Sequence, residues 1–277
     1  MFIKLLSTLF LFSSLSFAYQ DSDIDGVEDK DDKCPNSSFE EVVDEKGCAP
    51  SQHYLGALTL IVGSDISVDK QSHTTSNFNF FANYRYNNWD ISLSNANNAA
   101  STSSNNISTD YGDIYLSTGY YLENTKFIAK LSLGTKLATA NEDTNTGLKY
   151  GNAYEDTDTG ENDLFTSLYL NYRITQRQNL YLDYRYTISG DSQDMSYKDF
   201  ITYSIGSGYA LTPKWYSAFS YDYSGSPYPN TQPYKAISWF NSYTLTKHLF
   251  AIINYAHGLN DISPNHTVSV KLGVHFE

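Results

Sequence analysis

From residue 51 onward, apolar and polar side chains alternate along most of the chain. In 179–190, Leu180, Leu182, Tyr184, Tyr186 and Ile188 share one face, while Tyr181, Asp183, Arg185 and Thr187 take the other. In 126–138, Phe127, Ala129, Leu131, Leu133 and Leu137 oppose Lys126, Lys130, Ser132 and Lys136. A period of two is the signature of strands with unlike faces. Twelve such runs are expected, at 54–63, 77–86, 89–98, 110–122, 126–138, 162–173, 179–190, 198–211, 214–224, 234–244, 247–258 and 265–276. The connections between them measure 13, 2, 11, 3, 23, 5, 7, 2, 9, 2 and 6 residues, so long and short alternate throughout. Two runs, 234–244 and 247–258, resist a clean division, because Trp239, Phe240, Phe250 and Ile252 spoil a two-face assignment.

These runs are long enough to cross a hydrocarbon layer as tilted strands, which takes about 9–11 residues, whereas strands of soluble proteins average about 5–6. An even strand count with alternating short turns and long loops is the arrangement of bacterial outer-membrane barrels. Closure is required, because an open sheet edge in lipid leaves backbone groups unpaired. The expectation is therefore an all-β protein, a transmembrane antiparallel up-and-down barrel of about twelve strands over residues 51–277. Aromatics near strand ends (Tyr84, Tyr86, Trp89 and Trp215) fit an interfacial girdle. Outer-membrane lipids are the expected surroundings.

Composition agrees. The chain has 25 Tyr and 15 Phe but only 2 Cys and 2 Met. Its net charge of −13 argues against nucleic acid as a partner, since phosphate binding needs a basic surface. The acidity is uneven: residues 19–50 hold 11 acidic and 3 basic side chains. Before them, residues 1–18 show Lys4, an apolar stretch from Leu5 to Leu15, and Ser16-Phe17-Ala18, the features of a secretory signal peptide. The expected organisation is a signal peptide at 1–18, a periplasmic calcium-binding segment at 19–50 and the barrel at 51–277.

The calcium expectation comes from spacing. Counting Asp21 as position 1, carboxylates fall at 1, 3, 5, 9 and 12 (Asp21, Asp23, Asp25, Asp29 and Asp32), with Gly26 at position 6 and the Val27 carbonyl at 7. Alternate side chains turn inward, glycine allows the sharp bend, and a hard cation wanting 6–8 oxygens relieves the repulsion among the acids. Residues 21–48, with DxDxDGxxDxxDxCP followed by Val43-Asp44-Glu45-Lys46-Gly47-Cys48, resemble a thrombospondin type 3 repeat. The resemblance implies Ca²⁺ as cofactor, those five aspartates as ligands, and a Cys34–Cys48 disulfide. Only one repeat is present, where the family stacks several. The final run, Val268 to Phe276, resembles the C-terminal strand of outer-membrane barrel proteins, which implies the barrel assembly machinery as a partner; here the aromatic residue is penultimate.

On the inward face, alternation places Arg85, Lys130, Arg185 and Lys271, together with Asp183, Asp199 and Asp222. Charges inside a barrel must be hydrated or paired. Hydrated bases would make a porin-like passive channel for small polar solutes, with anions favoured. Paired charges would make a filled barrel, suited to a structural or cell-adhesion role. An outer-membrane acyl hydrolase ranks third. The six histidines and many serines form no GxSxG or HExxH motif, so no catalytic residues are expected. His257 and His266 should face each other across a hairpin, a pairing more in keeping with a polar rim than with a metal centre.

Overall fold

A computed structural model describes residues 25–34, 37, 43–48, 56–72, 74–95, 100–101, 113–139, 161–191 and 196–276. The signal peptide, Asp21 and Asp23 lie outside these. The strands are β1 (Ala57–Val68), β2 (Thr74–Tyr86), β3 (Trp89–Asn95), β4 (Ala100–Ser101), β5 (Ile114–Asn124), β6 (Phe127–Leu137), β7 (Asp163–Arg173), β8 (Gln178–Ile188), β9 (Phe200–Thr212), β10 (Trp215–Ser224), β11 (Tyr234–Thr244), β12 (Leu249–Gly258) and β13 (His266–Phe276). Each long strand pairs antiparallel with its chain neighbours, and β1 closes the sheet against β13 from Leu58↔Phe276 to Val68↔His266. The two-residue β4 pairs with β2 beyond the end of β3. The result is a closed, antiparallel barrel of twelve staves, with β4 a small addition to the third.

The barrel is inside-out relative to a soluble protein. Leu131, Leu133, Val270, Leu272, Phe219 and Ile253 stand on the outer wall, with Leu133 63% exposed. Most buried positions are polar, among them Asp65, Asn77, Asn79, Asp90, Ser132, Lys136, Asn171 and Asn179. An apolar outer face costs nothing against lipid and would be unfavourable in water. At the end of the barrel that carries the short turns, Tyr84, Tyr86, Trp89, Tyr120, Tyr172, Tyr209, Trp215 and Tyr243 are exposed, forming the aromatic band. Trp89 and Tyr120 meet edge to face at 4.9 Å.

The first strand differs from expectation. It runs over Ala57–Val68 rather than 54–63, and the first loop shrinks from 13 residues to the five of 69–73. Gly63-Ser64-Asp65 reads as a turn signal, but Asp65 is an inward residue of an unbroken alternation that continues through Ile66 and Val68. Strand β3 is also shorter than expected. Its ladder with β2 stops at Ser94, and the Asn95 side chain takes over, accepting from the Phe80 N–H at 2.8 Å and donating to the Phe78 carbonyl at 2.7 Å. The alternation of short turns and long loops survives both changes.

Candidate functional site in the lumen

The inward faces of the strands fall into two unlike walls. Along β1 to β8 and β13, bases and acids meet in pairs. Arg85 bridges to Glu123 at 2.8 Å and lies 4.1 Å over the Tyr121 ring. Lys130 pairs with Asp90, which also receives the Asn83 amide at 2.8 Å and the Tyr121 hydroxyl at 3.4 Å. Gly119 stands where any Cβ would collide with both partners of that pair. Lys136 is held between Asp163 at 3.1 Å and Asp113 at 3.3 Å, all three side chains nearly sealed from solvent. Lys271 approaches Asp65 at 3.9 Å, and Asp65 also receives Asn79 and Ser269. Arg185 lies over the Phe165 ring at 4.5 Å. Asp183 faces the lumen with Arg185 and Lys130 in its surroundings.

The named lumen residues Arg85, Lys130, Asp183, Arg185 and Lys271 therefore sit on the inward face, but Arg85, Lys130 and Lys271 do not form a ring of free positive charge. Asp199 turns the other way. It precedes β9, whose inward residues are Thr202 and Ser204, so parity sends it outward, where the Tyr186 hydroxyl donates to it at 2.6 Å. Parity also resolves the two strands that the sequence left ambiguous. Phe240 follows Ser238 and precedes Ser242 on the inward face, with Ile252 and Asn254 beside it on β12, while Ile237, Trp239 and Ile253 are outward. The signal was present in the serines flanking Phe240, outweighed by its bulk.

The opposite wall, β9 to β12, is built from Ser, Gly, Ala, Tyr and Phe around Asp222. Between the walls lies a cavity of about 850 Å³, reaching from Ile61, Phe81, Tyr181 and Lys271 on the first to Asp222, Ser238 and Phe240 on the second. At the rim opposite the short turns, His257 and His266 are direct cross-strand partners with rings 5.3 Å apart. The His266 Nδ1 is engaged by the Tyr255 hydroxyl at 2.7 Å, and the His257 Nδ1 by the Asn265 carbonyl. Among the described residues, no group of three His, Cys, Asp or Glu side chains could hold a metal ion.

The acidic segment forms a small stapled unit. Cys34 and Cys48 are joined, with Cα atoms 5.0 Å apart. Gly26 has φ +96°, the bend required at position 6. The Asp25 Oδ1 accepts the Val27 N–H and the Asp32 Oδ1 accepts the Cys34 N–H, both at 2.8 Å. Gly47, at φ +76°, lies where a Cβ would overlap the Asp32 Oδ1 and come within 2.9 Å of the Asp25 Oδ2. So Asp25 and Asp32 converge on one glycine. The Asp32 Oδ2 is buried with no hydrogen-bond partner among the described residues, a costly state for a carboxylate unless a cation takes it. Gly26 abuts Pro213, in the β9–β10 turn, so the unit lies at the turn end of the barrel.

No family model matches the chain, and no curated protein does either. Solved structures do. The barrel is similar to the NanC porin (TM-score 0.53, 13% identity, 79% of this chain and 99% of that one). It is similar to an outer membrane channel from Pseudomonas putida F1 (TM-score 0.59, 9% identity, 80% and 95%) and to the KdgM porin (TM-score 0.54, 10% identity, 79% and 99%). The chain has the fold of an outer-membrane porin-like barrel. At these identities the likeness concerns the fold alone.

Proposed function

We propose that the protein is an outer-membrane channel for passive movement of small polar solutes, and not an enzyme. The observation that carries this is the cavity of about 850 Å³ spanning the two inner walls. A barrel whose interior were filled with side chains, as the adhesion reading requires, would leave no such space. Its lining offers serine, asparagine and tyrosine groups that can replace a solute's water, which is how a pore lowers the barrier to a polar molecule. One structural neighbour, the KdgM porin, has also been solved in complex with disordered oligogalacturonate. Because Lys130, Lys136, Lys271 and Arg85 are neutralised by acidic partners, the lumen supplies no strong reason for anions to be favoured.

On the same reading, residues 19–50 are a periplasmic calcium-binding unit at the turn end, with Asp25, Asp29, Asp32 and the Val27 carbonyl joined by Asp21 and Asp23. Its support is the convergence of Asp25 and Asp32 and the buried Asp32 Oδ2. The channel reading is tested by recording the refolded protein in a planar bilayer. Steady single-channel steps support it. Silence with insertion verified by protease protection overturns it and leaves the filled, structural barrel.

A further inference from the structure

Asp222, like Asp183, is an acidic side chain that the ion pairs of the lumen leave out. It makes no ion pair among the described residues. It is held instead by three serines. The Ser204 hydroxyl donates to its Oδ1 at 2.5 Å, the Ser220 hydroxyl to the same oxygen at 3.0 Å, and the Ser238 hydroxyl to its Oδ2. These come from three strands: Ser204 is the cross-strand partner of Asp222 on β9, and Ser220 faces Ser238 across β10 and β11. A hydroxyl has one proton to give and two lone pairs. Each of these serines spends its proton on the carboxylate. What the cluster turns toward the cavity is therefore acceptor oxygen around one negative charge, with no hydroxyl proton left for an incoming acceptor. An anion or an acceptor-rich solute meets repulsion there; a cation or a donor-rich one is welcome.

The surroundings narrow the choice. Tyr181, Phe240, Ser204, Ser220 and Ser238 line the same cavity as Asp222. Phe240 is one inward step from Ser238, and Tyr181 lies opposite Gly206, itself the partner of Ser220. Aromatic faces attract cations. On the other wall the barrel uses this attraction internally, with Arg85 over Tyr121 and Arg185 over Phe165. Around Asp222, the rings of Tyr181 and Phe240 carry no lysine or arginine among the described residues. An alkali ion would gain from the oxygens but not from the rings; a compact organic ammonium gains from both. Resting on the channel reading, we infer that the lumen contains a subsite for small organic cations, with Asp222 supplying the charge and Tyr181 and Phe240 the faces.

The test uses the refolded full-length mature chain and two probes of matched shape, choline and its uncharged isostere 3,3-dimethylbutan-1-ol. Calorimetry in detergent micelles is expected to give saturable heat with choline and none with the alcohol. Asp222→Asn should weaken choline about tenfold or more, and Phe240→Leu, which keeps bulk but loses the ring, about threefold to tenfold. In a planar bilayer, choline should block current in the wild type and do so less in both variants. Equal binding of the two probes, no choline heat, or unchanged choline affinity in Asp222→Asn overturns the subsite, whatever the conductance. If Asp222→Asn does not refold, Phe240→Leu decides, and unchanged affinity there overturns the proposal. A silent bilayer alongside choline binding that depends on Asp222 overturns the channel reading and supports the subsite.

Discussion

The Lys136 Nζ lies 3.1 Å from the Asp163 carboxylate while also reaching Asp113 at 3.3 Å, with about 1% of the lysine side chain exposed. Each acid also secures a loop backbone. The Asp163 Oδ1 accepts the Gly190 N–H and the Asp113 Oδ1 the Thr139 N–H, both at 2.9 Å. One ammonium thus ties the loop ends of β5, β6, β7 and β8 together. Lys136→Met should destabilise the barrel by about 3–5 kcal/mol, because it leaves two buried carboxylates uncompensated. Adding Asp113→Asn and Asp163→Asn should recover much of the loss. Urea unfolding in lipid vesicles measures both; an unshifted midpoint for Lys136→Met alone would show that the triad is not structural.

The two faces predict opposite tolerance for charge. Leu133→Lys puts an ammonium on the outer wall at mid-strand, at a cost of about 2–4 kcal/mol if that wall meets lipid. Ser94→Lys places the same group toward the cavity and should cost well under half as much. Vesicle unfolding of the pair reads the difference. Equal effects would refute the assigned faces.

Calcium binding should depend on Gly47 as much as on any ligand. Gly47→Ala forces a Cβ into the Asp32 carboxylate at a backbone φ of +76°, so it should abolish calcium heat in the full oxidised chain. Asp32→Asn should weaken binding at least tenfold. Wild-type protein that shows no heat with millimolar calcium would reduce the segment to an acidic linker.

Lys70 and Asp261 join the first and last loops across the β1–β13 seam, 2.8 Å apart. The hydrogen bond and charge of Lys70 hold the Asp261 carboxyl below the usual aspartate range. A depressed folded value means that this contact acts above the unfolded aspartate pKa and fades as pH falls through the folded one. Carbon-detected NMR titration should show the Asp261 value rising to the ordinary range in Lys70→Met. Both groups are solvent-exposed, so vesicle unfolding should barely move.

Strand number and the faces of most strands were legible because lipid and water impose a strict period of two. The errors have local causes. Gly63-Ser64-Asp65 resembles a turn in composition, and only pairing with β2 and β13 shows it to be mid-strand. Asp199 was expected inward on the strength of its charge, although Thr202 and Ser204 set the opposite parity along the same run. Alternation could place Lys130 and Lys271 inward, but not reveal that Asp90 and Asp65 would neutralise them. That depends on which strands become neighbours at closure. The cluster around Asp222 has the same origin, since its three serines come from β9, β10 and β11 and no local motif joins them.

The seam between β1 and β13 also bears on how the barrel is assembled. Ser67 and Thr267 share a hydrogen bond of 2.9 Å across 200 residues of chain. Every other stave meets a near neighbour in sequence, so the sheet can grow by short steps, each with a modest loop-closure cost. The seam is the one step that must wait for the last strand to be made. Until then two edges stay open and cannot rest in lipid. Deleting β13 should therefore not give a smaller barrel but a chain arrested before insertion, with β1 and β12 both searching for a partner.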